Sequence, residues 1–153
     1  MRAGYAVSHM GRQRQLPRLL KTGKDEFLPD FMIRRPVERP DADRSVPALI
    51  PLKVKYRADV ARFWRREAAD YFETAKRWPD LWLVLVTDRP EHGRSCFQAL
   101  QGADQDATST TDLERVEVFD VYPSTVLEYS HLAQKLFALL AESRAAQSKS
   151  RLG

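Results

Sequence analysis

The spacing of apolar and polar positions changes several times along the chain, and each change marks an element. From Ala48 to Arg57 the stretch ALIPLKVKYR alternates. An extended strand there puts Leu49, Pro51, Lys53 and Lys55 on one face and Ile50, Leu52, Val54 and Tyr56 on the other, and the second face reads as core. From Asp59 to Trp78 the period becomes helical, with Val60, Phe63, Trp64, Ala68, Tyr71, Phe72, Ala75 and Trp78 on one side. Asp59 suits an N-cap and Pro79 a stop. LWLVLVTD, starting at Leu81, is a nearly continuous apolar run, the signature of a central strand covered on both faces. A short helix over Gly93 to Leu100, a polar linker QGADQDATSTTD and a strand over RVEVFDVY follow. A last amphipathic helix is built on Val126, Leu132, Leu136, Leu139 and Leu140 behind a Thr125/Glu128 capping box, and the tail SRAAQSKSRLG frays. Upstream, RQRQLPRLLKTGKDEFLPDFMIRR reads as two strands about a turn at Thr22-Gly23-Lys24, anchored by Phe27, Phe31 and Ile33, with Asp30 at the lip of the second strand. RPVERPDADRSVP is a surface loop.

This order predicts a mixed sheet flanked by helices, α/β in class. With 153 residues the chain supports one domain, over residues 1–143, with a flexible start at 1–12 and a frayed tail at 144–153. Its apolar fraction of 43% suits a globular protein, and no apolar run approaches a bilayer span. A lone Cys96 excludes an internal disulfide and points to a reducing, cytoplasmic or other intracellular compartment with no membrane contact. The N-terminal stretch lacks the apolar segment of a secretory signal, while Arg2, Arg12, Arg14 and Arg18 without an early acid leave an organellar presequence open.

Charge changes the picture because it is uneven. Residues 1–57 carry 13 Lys and Arg against 6 Asp and Glu, and the remainder carries 12 against 15. The basic excess therefore sits in the first third, where Arg12, Arg14, Arg18, Lys21, Lys24 and Arg57 form a candidate nucleic-acid footprint, the alternative being a solvated basic surface.

The candidate chemistry lies in the same region. FLPDF offers Asp30 on one strand, and PLKVKY offers positions 53 and 55 on one face of the next. Two carboxylates and a lysine brought together this way would suit metal-dependent phosphodiester hydrolysis. Here the sequence resembles the PD-(D/E)XK nuclease superfamily: Pro29-Asp30 is similar to its PD element, Leu52 to Lys55 to its (D/E)XK strand, and the following helix and apolar strand to its core order. The segment GRQRQLPRLLKTGKDEFLPDFMI is similar to the hairpin before the catalytic Asp in transposase-associated endonuclease subunits. The resemblance covers about Gln13 to Asp88. It implies a restriction-endonuclease-like mixed β-sheet, a DNA endonuclease using Mg²⁺ or Mn²⁺, and a protein partner that supplies targeting. It also implies that Asp30 and the carbonyl of Val54 ligate metal and that Lys55 is the catalytic lysine. Position 53 should then be an acid, and it is a lysine; a second register, with Pro51 at the acid position and Lys53 as the catalytic lysine, lacks the acid as well. An ammonium accepts no hydrogen bond and ligates no cation, so Lys53 is expected to enter the metal cavity and pair with Asp30, impairing the enzyme.

Other readings compete. Asp30 could be a turn residue after proline, and Lys53 and Lys55 could be solvent-facing lysines guarding an edge strand. Glu67 and Tyr71 have the spacing of a substrate-facing QxxxY pair with Glu for Gln, though Tyr71 reads more simply as a core aromatic. His9, His92 and His131 are scattered, Cys96 reads as structural, and TDRPEHGRS as an ordinary turn. At the level of function, the alternatives to an impaired endonuclease are a non-catalytic nucleic-acid-binding or structural subunit on the same fold, and a protein-interaction domain with an acidic partner.

Overall fold

The structure, a computed structural model, describes residues 6–9, 27–34 and 49–151. Six strands among these residues form one mixed sheet in chain order: β1 (Ala6–His9), β2 (Phe31–Arg34), β3 (Leu49–Tyr56), β4 (Trp82–Val86), β5 (Phe97–Gln101) and β6 (Thr111–Asp112). Neighbours are antiparallel except β3 and β4, which run parallel with Lys53 opposite Leu83 and Lys55 opposite Leu85. A parallel pair needs a crossover, supplied by α1 (Val60–Arg66) and α2 (Ala68–Ala75). Pro51 is tolerated inside β3 because β4 begins opposite Leu52, so the missing N–H falls beyond that ladder.

Asp59 caps α1 as expected, its carboxylate accepting from the Arg62 N–H at 3.0 Å. The expected single helix from Asp59 to Trp78 is divided at Glu67, whose φ of −121° leaves the helical region. The Glu67 carboxylate is gripped by Arg57, just after β3, through Nε at 2.7 Å and Nη2 at 2.5 Å.

Both sheet faces are buried, which corrects the assignment of the core to the Ile50 face alone. The lysine-bearing face carries the larger cluster, in which Leu83, Leu85 and Leu100 meet Phe27, Phe63, Tyr71, Ala75 and Leu81. The other face holds Ile33, Ile50, Ala99, Val116 and Phe119, packed by Leu52 and Trp82, while Val54 and Tyr56 are partly exposed. Tyr71 is a core residue whose hydroxyl is shared between the carbonyls of Leu81 at 3.0 Å and Leu100 at 2.8 Å, and burial pushes its ionisation well above the usual range.

Three expectations for the second half are corrected. Residues 97–101 form a strand, not the end of a short helix: Gln98 and Leu100 face one way, Phe97 and Ala99 the other, which is the period of two that β4 pairs with. RVEVFDVY is not a strand. It lies across two single-turn 3₁₀ helices, Leu113–Arg115 and Glu117–Phe119, and Leu113, Val116 and Phe119 recur every three residues on the packed side. The last helix, α3, starts at Pro123, before the Thr125 expected to cap it, and runs through the expected tail to Arg151. Its packed face is Val126, Ser130, Ala133 and Phe137, while Leu132, Leu136, Leu139 and Leu140 stand exposed. β1 was not anticipated. The hairpin turn at Thr22-Gly23-Lys24, the strand before it and the loop 35–47 lie outside the described residues. No helix among the described residues is long and apolar enough to cross a membrane.

Where α2 closes over β5, a Cβ at Gly102 would stand 2.5 Å from Ala75 Cβ and 2.9 Å from the Leu81 carbonyl. Gly102→Ala is therefore expected to lower unfolding free energy by roughly 1–3 kcal/mol in a denaturant titration. An unchanged midpoint would show that this contact is looser than described.

Candidate functional site

Asp30 sits one residue before β2, where its backbone N–H donates to the Leu52 carbonyl at 2.8 Å and so extends the β2–β3 ladder by one rung. Continuing the antiparallel register places Asp30 opposite Lys53, with both side chains on the same face. The Lys53 ammonium donates to Asp30 Oδ1 at 3.0 Å, and the Val54 N–H donates to Asp30 Oδ2 at 3.1 Å. Both carboxylate oxygens are thus engaged from β3. In a strand the N–H and C=O of one residue point to the same side, so the Val54 carbonyl also faces the Asp30 side.

Lys53 and Lys55 share a face, but their environments differ. The Lys53 side chain is 14% exposed and Asp30 is 32% exposed, so the pair is half-buried with an opening to solvent. Lys55 is only 8% exposed, and its Nζ lies 4.3 Å from the centroid of the Phe27 ring, a cation–π contact. Neither lysine guards an edge, because β3 is flanked by β2 and β4. Asp30 is more than a turn residue, since its carboxylate ties two strands.

The donor set here does not fit Mg²⁺. It offers one carboxylate, already accepting from an ammonium and an amide, and hard divalent cations need several free oxygens. Among the described residues no group of three or more His, Cys, Asp or Glu could hold a metal. The Val54 carbonyl alone does not alter that.

Other residues singled out in the sequence are placed as follows. Arg57 is committed to Glu67 and to the Tyr56 carbonyl, which Nη1 reaches at 2.7 Å. Glu67 and Tyr71 do not act as a pair, one being bound to Arg57 and the other buried in the core. Arg12, Arg14, Arg18, Lys21 and Lys24 lie outside the described residues. Of the histidines, His9 packs edge-on to Phe31, and His131 lines a cavity of about 310 Å³ with Cys96, Arg94, Glu114 and Ser130. Burial raises the Cys96 thiol above its usual range, against smaller opposing effects of Ser130 and Gln134, so it is no activated nucleophile.

Sequence reasoning missed two arrangements. One is Phe27 as the ring under Lys55, which its apolar character alone could not distinguish from plain core. The other is the Arg94–Asp112 ion pair at 2.9 Å, which with the Arg94 to Thr110 carbonyl bond at 2.8 Å pins the β6 edge. No protein family, curated protein or solved structure matches the chain.

Removing the Asp30 carboxylate leaves a largely buried ammonium without it. Asp30→Ala is expected to cost roughly 1–3 kcal/mol of stability, and Asp30→Ala with Lys53→Met to recover most of it. Melting curves identical for the single variant and the unaltered chain would mean that the pair does not form in solution.

Proposed function

We propose that the chain is a DNA-processing subunit of PD-(D/E)XK type, on a restriction-endonuclease-like fold, whose cleavage site is held silent by Lys53. The observation that carries this reading is the convergence of Asp30, Lys53 and the Val54 amide across β2 and β3, with Lys55 two residues on along the same face. In the (D/E)XK arrangement position 53 would supply an acid beside Asp30, and here it supplies a cation to Asp30 instead. The mixed sheet, with a crossover helix pair between β3 and β4, agrees with the order such a fold requires.

A second reading, a non-catalytic nucleic-acid-binding or structural subunit on the same fold, is favoured by the completeness of the Asp30–Lys53 contact. A carboxylate paired with an ammonium is a poor ligand for the cation that hydrolysis would need.

Lys53→Glu separates the two. The substitution removes the competing ammonium and adds a carboxylate on the same strand face as Lys55, and like-charged carboxylates that close attract a divalent ion. Under the first reading, DNA nicking in the presence of the targeting partner appears with Mg²⁺ or Mn²⁺ and vanishes when Asp30→Ala is added. No cleavage and no metal binding by Lys53→Glu would leave the second reading.

DNA affinity is expected to fall steeply with salt, because the basic first third releases counterions from phosphate. Filter binding or fluorescence anisotropy at two salt concentrations reads this slope, and a flat response would point to a protein ligand.

A further inference from the structure

The face that α3 turns to solvent has a repeat of its own. Its packed face is fixed by buried Val126 and Ser130 and by Phe137, whose ring stacks on Tyr56 at 4.7 Å between centroids. With that rotation set, Tyr129, Leu132, Leu136 and Leu139 lie along the outside at alternating spacings of three and four, from 54% to 63% exposed. Ser143 and Ala146 continue the series. This is a heptad seam of the kind that packs against a second helix.

The charges beside the seam identify that helix. Glu128, Lys135, Glu142 and Lys149 follow one another every seven residues, alternate in sign and are all exposed. Each immediately precedes a position of the seam's first series, 129, 136 and 143 among them. Two antiparallel helices bring these flanking positions face to face. Glu128 then meets Lys149 of a second copy, Lys135 meets Glu142 of that copy, and the two-fold axis repeats both pairs. In a parallel pair they would instead face Ala133, Leu140 and Gln147, which carry no charge.

We propose that α3 is a two-fold dimerisation helix, and that its partner is a second copy of this chain docked antiparallel. The seam fits itself in that direction: Leu136 stacks against Leu139 of the other copy at the centre, while Tyr129 meets Ala146 and Leu132 meets Ser143 towards the ends, large against small. The seam from 129 to 146 spans roughly 26 Å of helix. Exposed ion pairs add little affinity, so the leucines supply the attraction and the charges set the direction. Phe137 approaches Tyr56 on the strand face opposite Lys53 and Lys55, so this dimer leaves the Asp30 site uncovered. The proposal does not depend on the nuclease reading.

Sedimentation equilibrium of the full chain tests it. The unaltered protein is expected to show a reversible monomer–dimer equilibrium. Leu136→Asp should weaken dimerisation by at least about tenfold, while its helix content stays that of the unaltered chain, because the side chain stands exposed in the monomer. Lys135→Glu should weaken it by opposing like charges, and Lys135→Glu combined with Glu142→Lys should restore it, because the exchange keeps every antiparallel pair complementary. A monomer at every concentration, a dimer indifferent to Leu136→Asp, or an exchanged variant no tighter than Lys135→Glu alone would overturn the proposal.

Discussion

A lysine whose stem points into the helix-covered face of a central strand must bring its own counterpart, because an ammonium withdrawn from water without one costs several kcal/mol. β3 carries two such lysines on one face. Lys53 reaches the Asp30 carboxylate at the end of the neighbouring strand, and Lys55 lies against the Phe27 ring. Phe27 and Asp30 are three residues apart in the segment leading into β2, so one short piece of chain contacts both lysines. The same piece of chain makes the Asp30 to Leu52 backbone bond that starts the β2–β3 ladder.

The sheet then separates two differently covered faces. On the lysine face, α1 and α2 cover Leu83 and Leu85 and leave Asp30 partly open to solvent. On the other face the 3₁₀ turns cover Ile50 and Ala99, and α3 is held by Phe137 on Tyr56. The hydroxyl of that same Tyr56 donates to Asp88 at 3.0 Å, and desolvation, helped by this bond, raises its ionisation above the usual tyrosine range. The Asp30–Lys53 pair and the α3 contact therefore lie on opposite faces of one sheet.

What the sequence made legible follows the strength of each local signal. The alternation of β3, the apolar run of β4 and the cap at Asp59 were readable because strand periodicity and capping are local consequences of residue type, whereas the meeting of Asp30 with Lys53, 23 residues apart, was expected only through the family resemblance. β5 was misread since Phe97 to Gln101 is too short for its period of two to stand out until β4 lies beside it. Val116 and Phe119 were misread as part of a strand because Val116 and Val118 in RVEVFDVY mimic alternation, whereas tertiary packing selects the three-residue period of Leu113, Val116 and Phe119. Val126 and the leucines of α3 were read together as the apolar side of one amphipathic helix. Periodicity identifies an apolar face without saying what covers it, and here Val126, Ser130 and Phe137 hold the inner side instead.

The central claim is that the Lys53 ammonium holds the Asp30 carboxylate against a divalent cation. The Val54 amide, 3.1 Å from Asp30 Oδ2, is a reporter already in place. In the amide proton–nitrogen spectrum of the unaltered chain, titration with Mg²⁺ across the physiological range is predicted to leave the Val54 resonance where it is. A saturable displacement of that resonance would mean that the cation displaces Lys53 from Asp30, and would contradict the account.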